Sequence, residues 1–375
     1  MNINVTNKVS PEPLINEATG NHRFYPDVIR AIACLIVVFL HASGAFLLEW
    51  GGIAQKDWMV ANVIDSMARI CVPFFVMLSG ALILHKQESY HKFFKKRASR
   101  LLIPFIFWPL FYLGWRILYQ KEALSIGEAI ISLFDGSVYY HLWYLYMIIG
   151  LYAIAPLLRK LLAVTSKLDI RYFLGLWILF SSLIPTIQFF LQVIYKNQID
   201  SAFDLPFATG FIGYFILGDY LRKIELSAKQ VKVAWCLFVV GSLMTCIGTY
   251  ILTLSINDFE EYLYNYCSPT VIIQSVSAYL LLKYYAGKSE NRIGSRSKKI
   301  ISRIGQVSLG VYLIHPIFLD LLFKAKSIFS ISPVLKHPAL FIPLSSLIGF
   351  IFSVTACILI SKTPFLYRCI NNRRS

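Results

Sequence analysis

YPDVIRAIACLIVVFLHASGAFLL, residues 25 to 48, is the stretch that decides the fold. It is long enough to cross a bilayer as a helix, yet it carries Asp27, Arg30 and His41 among apolar residues. At about 100° per residue these three side chains share one face, and Arg30 and His41 are expected near opposite sides of the membrane. Ionisable groups inside a bilayer are costly and usually face a bundle interior or a water-filled cavity, so this face predicts a functional site.

The composition is that of a polytopic membrane protein. Of the 375 residues, 57% are hydrophobic and only 15% are charged, and the mean hydropathy is +0.61. The net charge of +16 comes from basic residues in short segments between apolar runs, which is typical of cytoplasmic membrane loops and argues against nucleic-acid binding. The seven cysteines have neither metal-ligand spacing nor a disulfide framework, so no metal site is expected.

The apolar runs predict an all-α membrane bundle of about ten transmembrane helices. They begin near residues 26, 62, 101, 139, 172, 206, 231, 268, 304 and 338. With the N-terminus inside, most Lys and Arg fall on the cytoplasmic side, so both termini are predicted to be cytoplasmic. Residues 1–24 and 363–375 are then cytoplasmic tails of one membrane domain, 25–362. The sixth run, 206–221, is short and glycine-rich, which is compatible with a tilted helix, a broken helix or tight packing against a neighbour.

The second run contains a candidate ion pair. Asp65 and Arg69 are four positions apart and share one helical face. Pro73 breaks the hydrogen-bond ladder one turn later, and Ser79-Gly80 allows another helix to approach closely. A buried structural ion pair and a substrate-binding role are both compatible with this pattern.

A basic stretch precedes the third run. Its lysines are typical of a positive-inside signal. Arg97 and Arg100, however, are three apart on one helical face, where two guanidinium groups could hold phosphate groups of a cytoplasmic donor. For these two arginines the topogenic and the donor-binding interpretations remain open.

Histidines occur in two further polar clusters. His141 lies in the aromatic run 139–146, which suits either membrane anchoring or the binding of a sugar. Ser308, Tyr312 and His315 recur at i, i+4 and i+7 and therefore share a face. His315 is either a catalytic support or a packing residue beside a proline kink.

His41 is the candidate general base, because an unperturbed histidine titrates near neutral pH and a nearby carboxylate or arginine can orient it. Arg30 and Asp27 are its candidate partners on the same helix. The alternative is a histidine that is hydrogen-bonded for packing alone.

Taken together, these motifs resemble the acyltransferase 3 family of integral membrane acyltransferases, and the resemblance spans nearly the whole chain. The matching residues are Arg30 with His41, Arg97 with Arg100, and Ser308 with Tyr312 and His315. One departure is Pro73, which stands where many members carry an aspartate before Phe-Phe. This variant, with the segments 141–143 and 266–269, is similar to the branch that contains the enterobacterial common antigen O-acetyltransferase.

The resemblance implies transfer of an acyl group, usually acetyl from acetyl-CoA, to a hydroxyl of a cell-envelope polysaccharide or lipid-linked glycan. It places the protein in the bacterial cytoplasmic (inner) membrane, among its lipids, with acetyl-CoA as co-substrate and no bound cofactor. His41 would act as base or briefly carry the acyl group, and Arg97 with Arg100 would hold the CoA phosphates. The expected acceptor or supporting residues are Asp65, Arg69, His141, Ser308, Tyr312 and His315.

Two other classes of protein compete with this interpretation. Intramembrane Asp, Arg and His are also what a proton-coupled transporter or flippase of a polar solute or glycan precursor uses, although the sequence shows no internal repeat. A non-enzymatic scaffold for envelope assembly would bury the same groups without using them.

Overall fold

The bundle is built from helices, as the sequence predicts. The computed structural model describes residues 24–196, 207–328, 337–363 and 366–370, and these ranges contain no strand. The helices are α1 (Tyr25–Leu47), α2 (Gln55–Ala68), α3 (Cys71–Ile83), α4 (Tyr90–Trp115), α5 (Ile126–Asp135), α6 (Trp143–Val164), α7 (Lys167–Ile178), α8 (Ile184–Tyr195), α9 (Phe207–Arg222), α10 (Ala228–Ile256), α11 (Pro269–Ser289), α12 (Ser295–Gln306), α13 (Ser308–Ile328), α14 (Pro338–Ile360) and α15 (Tyr367–Ile370). Short π-helical segments extend α4 and join α7 to α8. Of the predicted N-terminal tail only Phe24 is described, and of the predicted C-terminal tail residue 363 and residues 366–370, which include α15.

The described helices make this a multi-pass membrane protein. Eight helical stretches are long and apolar enough to cross a membrane. Two of the predicted spans fall outside that set, because α9 has only 16 residues and α11 is interrupted by polar side chains such as Gln274 and Ser275. Both are nevertheless helices at the predicted positions, where α9 packs on α3 and α11 packs on α10.

Several predicted boundaries were wrong by one or more turns. The second span begins at Gln55 rather than near 62. It is divided between α2 and α3 just before Pro73, because proline has no backbone N–H to donate to a helix hydrogen bond. The third begins at Tyr90 rather than near 101, since Ser89 caps a polar first turn. The ninth begins at Ser308 rather than near 304, because a separate basic helix, α12, precedes it.

Contacts between helix ends gather the Lys- and Arg-rich segments on one side of the bundle, called here the basic side. Lys283 donates to the carbonyl oxygens of Arg222 and Ile224, at 2.8 and 2.5 Å. Arg303 donates to Ser361 at 3.0 Å. That this side faces the cytoplasm remains the prediction of the positive-inside rule.

Helix α1 lies at the centre of the bundle and runs in register with α12 and α13. Ser302 donates to Asp27 at 2.5 Å, and the Cys34 thiol donates to the backbone oxygen of Ser308 at 3.2 Å. One further heptad along both helices, the rings of His41 and His315 stack with centroids 5.2 Å apart. In all three contacts the two residues are separated by nearly the same number of positions along the chain. Helix α1 therefore runs parallel to α12 and α13.

The predicted close approach at Ser79-Gly80 is confirmed in the contact between α3 and α9. A Cβ atom at Gly80 would overlap the backbone carbonyl of Phe215, and one at Gly218 would overlap that of Met77. The two helices therefore touch backbone to backbone, as small residues permit in membrane proteins.

We expect Gly218→Val to lower the stability of the protein by at least about 1–3 kcal/mol, because the new methyl groups must push α3 and α9 apart. Thermal unfolding in detergent measures this. The matched control is Gly175→Val in α7, where an added Cβ meets nothing within 4 Å. Equal melting temperatures for the two variants would contradict the backbone contact.

Candidate active site

Three histidines from distant parts of the sequence meet near one end of the bundle. The rings of His41 in α1 and His315 in α13 are stacked, with centroids 5.2 Å apart and planes inclined by 19°. His141, just before α6, lies 5.6 Å from His315 in an edge-on arrangement. The sequence indicated each histidine separately, and the structure brings them into one group, called here the histidine cluster.

Hydrogen bonds position the two buried histidines. His315 Nδ1 lies 2.8 Å from the backbone oxygen of Tyr312 and therefore carries the proton, which leaves Nε2 as an acceptor. The Tyr312 hydroxyl donates to the backbone oxygen of His141. Both ring nitrogens of His141 and Nε2 of His315 are buried without a hydrogen-bond partner in the described part of the chain. These nitrogens are therefore buried acceptors or donors whose hydrogen bonds are not made within the described ranges.

His41 is the member of the cluster that a substrate can reach. His141 and His315 are 0% exposed, whereas His41 is partly exposed. Its ring lies 4.7 Å from that of Tyr140, which is 47% exposed and opens toward the side opposite the basic side. No hydrogen bond to a ring nitrogen of His41 is formed within the described ranges. A partly exposed histidine with its nitrogens unengaged is suited to accept a proton from a substrate.

Ser308 stands apart from the histidine cluster. The sequence predicts that it shares a face with Tyr312 and His315, but the structure places it one heptad nearer the basic side, level with Cys34. Of that predicted trio, Tyr312 and His315 belong to the cluster.

Asp27 and Arg30 also lie away from His41. Arg30 Nη1 is 3.2 Å from Asp27 Oδ1, and Asp27 is bound by Ser302 of α12. A rise of about 1.5 Å per residue puts Arg30 roughly 16 Å from His41 along α1. The polar face of α1 is therefore divided. Asp27 and Arg30 form a pair toward the basic side, and His41 lies toward the opposite side.

The Asp65–Arg69 ion pair lies nearer to His41 than the Asp27–Arg30 pair does, because it contacts Ser43 of α1. Arg69 Nε donates to Asp65 at 2.6 Å, as the four-residue spacing predicts, and its guanidinium lies 4.2 Å from the ring centre of Tyr264. Ser43, two residues beyond His41, donates to the other oxygen of Asp65 at 3.1 Å. The Asp65–Arg69 pair is therefore fixed against the same turn of α1 that carries His41.

Asp320 is a partly buried carboxylate beside the cluster that the sequence motifs did not indicate. It accepts hydrogen bonds from Trp115 at 2.8 Å and from the Tyr139 hydroxyl at 2.5 Å. The ring of Tyr139 lies 4.8 Å from that of Tyr140, and so Asp320 is connected to the exposed edge of the site. An aspartate inside the ninth apolar run was the available signal. Aromatic rings beside a carboxylate suit the faces and hydroxyls of a sugar.

Arg97 does not point freely into solvent. It donates to Glu88, in the loop before α4, and its guanidinium lies 4.1 Å from the ring centre of Phe93. Burial of Glu88 opposes ionisation, but the hydrogen bond and charge of Arg97 outweigh it and lower the pKa of this carboxyl. Glu88 is therefore ionised at neutral pH. Arg100, one turn further along α4, is partly buried.

Within the described part of the chain, no group of three His, Cys, Asp or Glu side chains is arranged to hold a metal ion.

Comparison with known proteins identifies the family. A family profile described as an acyltransferase domain matches residues 23–362, and the chain therefore belongs to that acyltransferase family. A Staphylococcus aureus protein named probable poly-β-1,6-N-acetyl-D-glucosamine export protein is 23% identical over 327 residues, which span 80% of this chain and 83% of that protein. Its Staphylococcus epidermidis namesake is 23% identical over 311 residues, covering 80% and 82%. No solved structure matches. The narrower branch resemblance stays a prediction.

We expect Asp65→Leu to cost about 3–5 kcal/mol of stability, because it leaves Arg69 buried without its carboxylate. The double variant Asp65→Leu/Arg69→Met should recover most of that loss in thermal unfolding but remain inactive, since the charge beside His41 is gone. A double variant as active as the parent would show that the pair is structural only.

Proposed function

We propose that this membrane acyltransferase moves an acyl group, acetyl from acetyl-CoA, to a hydroxyl of a cell-envelope polysaccharide or lipid-linked glycan at the bacterial cytoplasmic membrane. The observation that carries the proposal is His41, an accessible histidine with unengaged nitrogens inside a membrane bundle of the acyltransferase family. An ionisable side chain inside the membrane is costly, and such side chains usually mark a functional site.

His41 supports two chemical routes. In the first, it takes the proton of the acceptor hydroxyl while that oxygen attacks the thioester carbonyl; the C–S bond breaks, and the CoA thiolate leaves and receives the proton. In the second, the unprotonated nitrogen of His41 attacks the thioester carbonyl, the C–S bond breaks, and the CoA thiolate takes the N–H proton of the acylated ring. The acceptor hydroxyl then attacks the acyl-histidine, the C–N bond breaks, and the hydroxyl proton returns to the imidazole. In both, Arg69, which Asp65 and Ser43 hold against the same turn of α1, provides a cation for the thioester oxygen on which negative charge develops.

The donor is proposed to approach from the basic side. Arg97 and Arg100 lie at that end of α4, and Arg30 lies at the corresponding end of α1. Arginine binds phosphate through several parallel N–H groups. With the CoA phosphates held there, the flexible thioester arm would extend roughly 16 Å along α1 from the level of Arg30 to reach His41.

The acceptor is proposed to approach from the opposite side. Tyr140 is the exposed residue next to His41, and Asp320 lies behind it through Tyr139. An apolar aromatic surface with a few polar groups is the usual lining of a small-molecule site. The glycan relationship is supported by the Staphylococcus relatives, whose names refer to a polysaccharide.

Export of a glycan is the second candidate function, because the names of those relatives contain the word export. Buried ionisable groups also serve transporters. A transporter moves its solute without consuming a thioester, so measurement of donor consumption separates the two functions.

We expect His41→Ala to abolish acyl transfer while the protein still folds. Membranes carrying the parent or the variant receive acetyl-CoA labelled in its acetyl group, and label is followed into glycan and lipid-linked glycan fractions. Removal of a general base or nucleophile should lower the rate by at least about 10²-fold.

The matched control is His91→Ala, an exposed histidine in the first turn of α4, which should retain the parental rate. Equal incorporation by His41→Ala and the parent would exclude the proposed role of His41. Absence of label with every variant, with folded protein and native envelope present, would favour export or a different acyl donor.

A further inference from the structure

An excess of positive charge surrounds Glu88 on the basic side. Arg97 donates to one carboxylate oxygen of Glu88, and Lys96 lies 3.5 Å from the other. Arg159, near the end of α6, approaches from a different helix, with its Nη1 4.0 Å from Glu88. We call these four residues the Glu88 cluster. Three cations thus converge on one carboxylate.

The two arginines are held in place by burial and by the ring of Phe93. The side chains of Arg97 and Arg159 are 9% and 8% exposed. Their guanidinium groups lie 4.1 and 5.4 Å from the Phe93 ring centre. Rigid, partly desolvated guanidinium groups bind anions more strongly than mobile surface lysines do, because less side-chain freedom is lost on binding.

Arg159 retains unused hydrogen-bonding capacity. Its Nη2 is buried and has no hydrogen-bond partner among the described residues. A structural ion pair between the α3–α4 loop and α4 requires only Glu88 and Arg97, so it does not account for a second buried arginine. Leaving such a donor unpaired is costly. The cluster therefore lacks negative charge and acceptor atoms.

We propose that Glu88 occupies the place of a donor phosphate when no donor is bound, and that Arg159 joins Arg97 in binding that phosphate after Glu88 moves away. This inference rests on the proposed function, in which the donor is a CoA thioester. A phosphate supplies the charge and the acceptor oxygens that the cluster lacks. Glu88 acts as a competing anion, and Arg159 becomes a donor-binding residue outside the Arg97–Arg100 motif.

Glu88 is suited to exchange with a ligand. It lies in a loop between α3 and α4 rather than in a helix, so a small loop displacement carries it away without disturbing either helix. Because only protein with Glu88 displaced can bind, the parent's apparent affinity for the donor is lower than its intrinsic affinity. Removing the carboxylate charge should therefore strengthen donor binding.

The test is calorimetric titration of coenzyme A into the full-length protein purified in detergent. We expect Glu88→Gln to bind coenzyme A about tenfold more tightly than the parent, and Arg159→Gln about tenfold more weakly. Arg159→Lys, which keeps the charge, should bind coenzyme A with an affinity between those of Arg159→Gln and the parent. It replaces Arg159→Gln in the comparison if that variant does not fold. Arg296→Gln, which removes an exposed charge from α12 on the same side, should match the parent.

Weaker or unchanged binding by folded Glu88→Gln would overturn the proposal and make Glu88 a structural partner of Arg97. In that case labelled-acetyl transfer that depends on His41 would still support the proposed function. If neither the parent nor Glu88→Gln binds coenzyme A, the donor assignment itself is wrong, and the role of the Glu88 cluster is wrong with it.

Discussion

The parallel pairing of α1 with α12 and α13 is the constraint on which the rest of the site depends. Contacts at Asp27, Cys34 and His41 hold the helices in one register from the basic side to the histidine cluster. A shift of one residue would rotate each contact by about 100° and separate His41 from His315. The hydrogen bonds at the basic end therefore set the geometry of histidines roughly 20 Å away along the helix.

Hydrogen bonds explain why costly groups are tolerated in the membrane interior. Asp65 is bound by both Arg69 and Ser43, and His315 is bound by the backbone of its own helix. These hydrogen bonds offset part of the cost of desolvating the groups. The histidine cluster differs, because both ring nitrogens of His141 and Nε2 of His315 are buried without a partner in the described part of the chain. Other buried polar atoms there, such as Arg159 Nη2, also lack a partner, so it is the position of these nitrogens next to the accessible ring of His41 that marks the region where a substrate is expected to bind.

Much of this architecture was predictable because its signals are local. Apolar runs located the helices, the spacing of Asp65 and Arg69 predicted their pair, and Ser79-Gly80 predicted a close helix contact. The predicted helix starts were too late where the helix has a polar first turn before its apolar run. The histidine cluster could not be predicted as a unit, because His41 and His315 are brought together by a register between helices 274 residues apart. No local pattern encodes that register.

Under the proposed function, the Glu88 cluster binds the donor and the histidine cluster carries out the transfer. Because the two clusters are separated, one membrane domain can do both. CoA phosphates carry too much charge to enter the hydrocarbon layer, whereas a thioester arm carries none, so only the arm needs to enter the bundle. The charged phosphates therefore stay on the basic side, and the uncharged acyl group reacts at the base near the opposite side. The acceptor then needs no path through the bundle, and the tight contact between α3 and α9 can persist throughout transfer. A glycan exporter would instead have to open a polar path across the bilayer, and helices that touch backbone to backbone oppose such an opening.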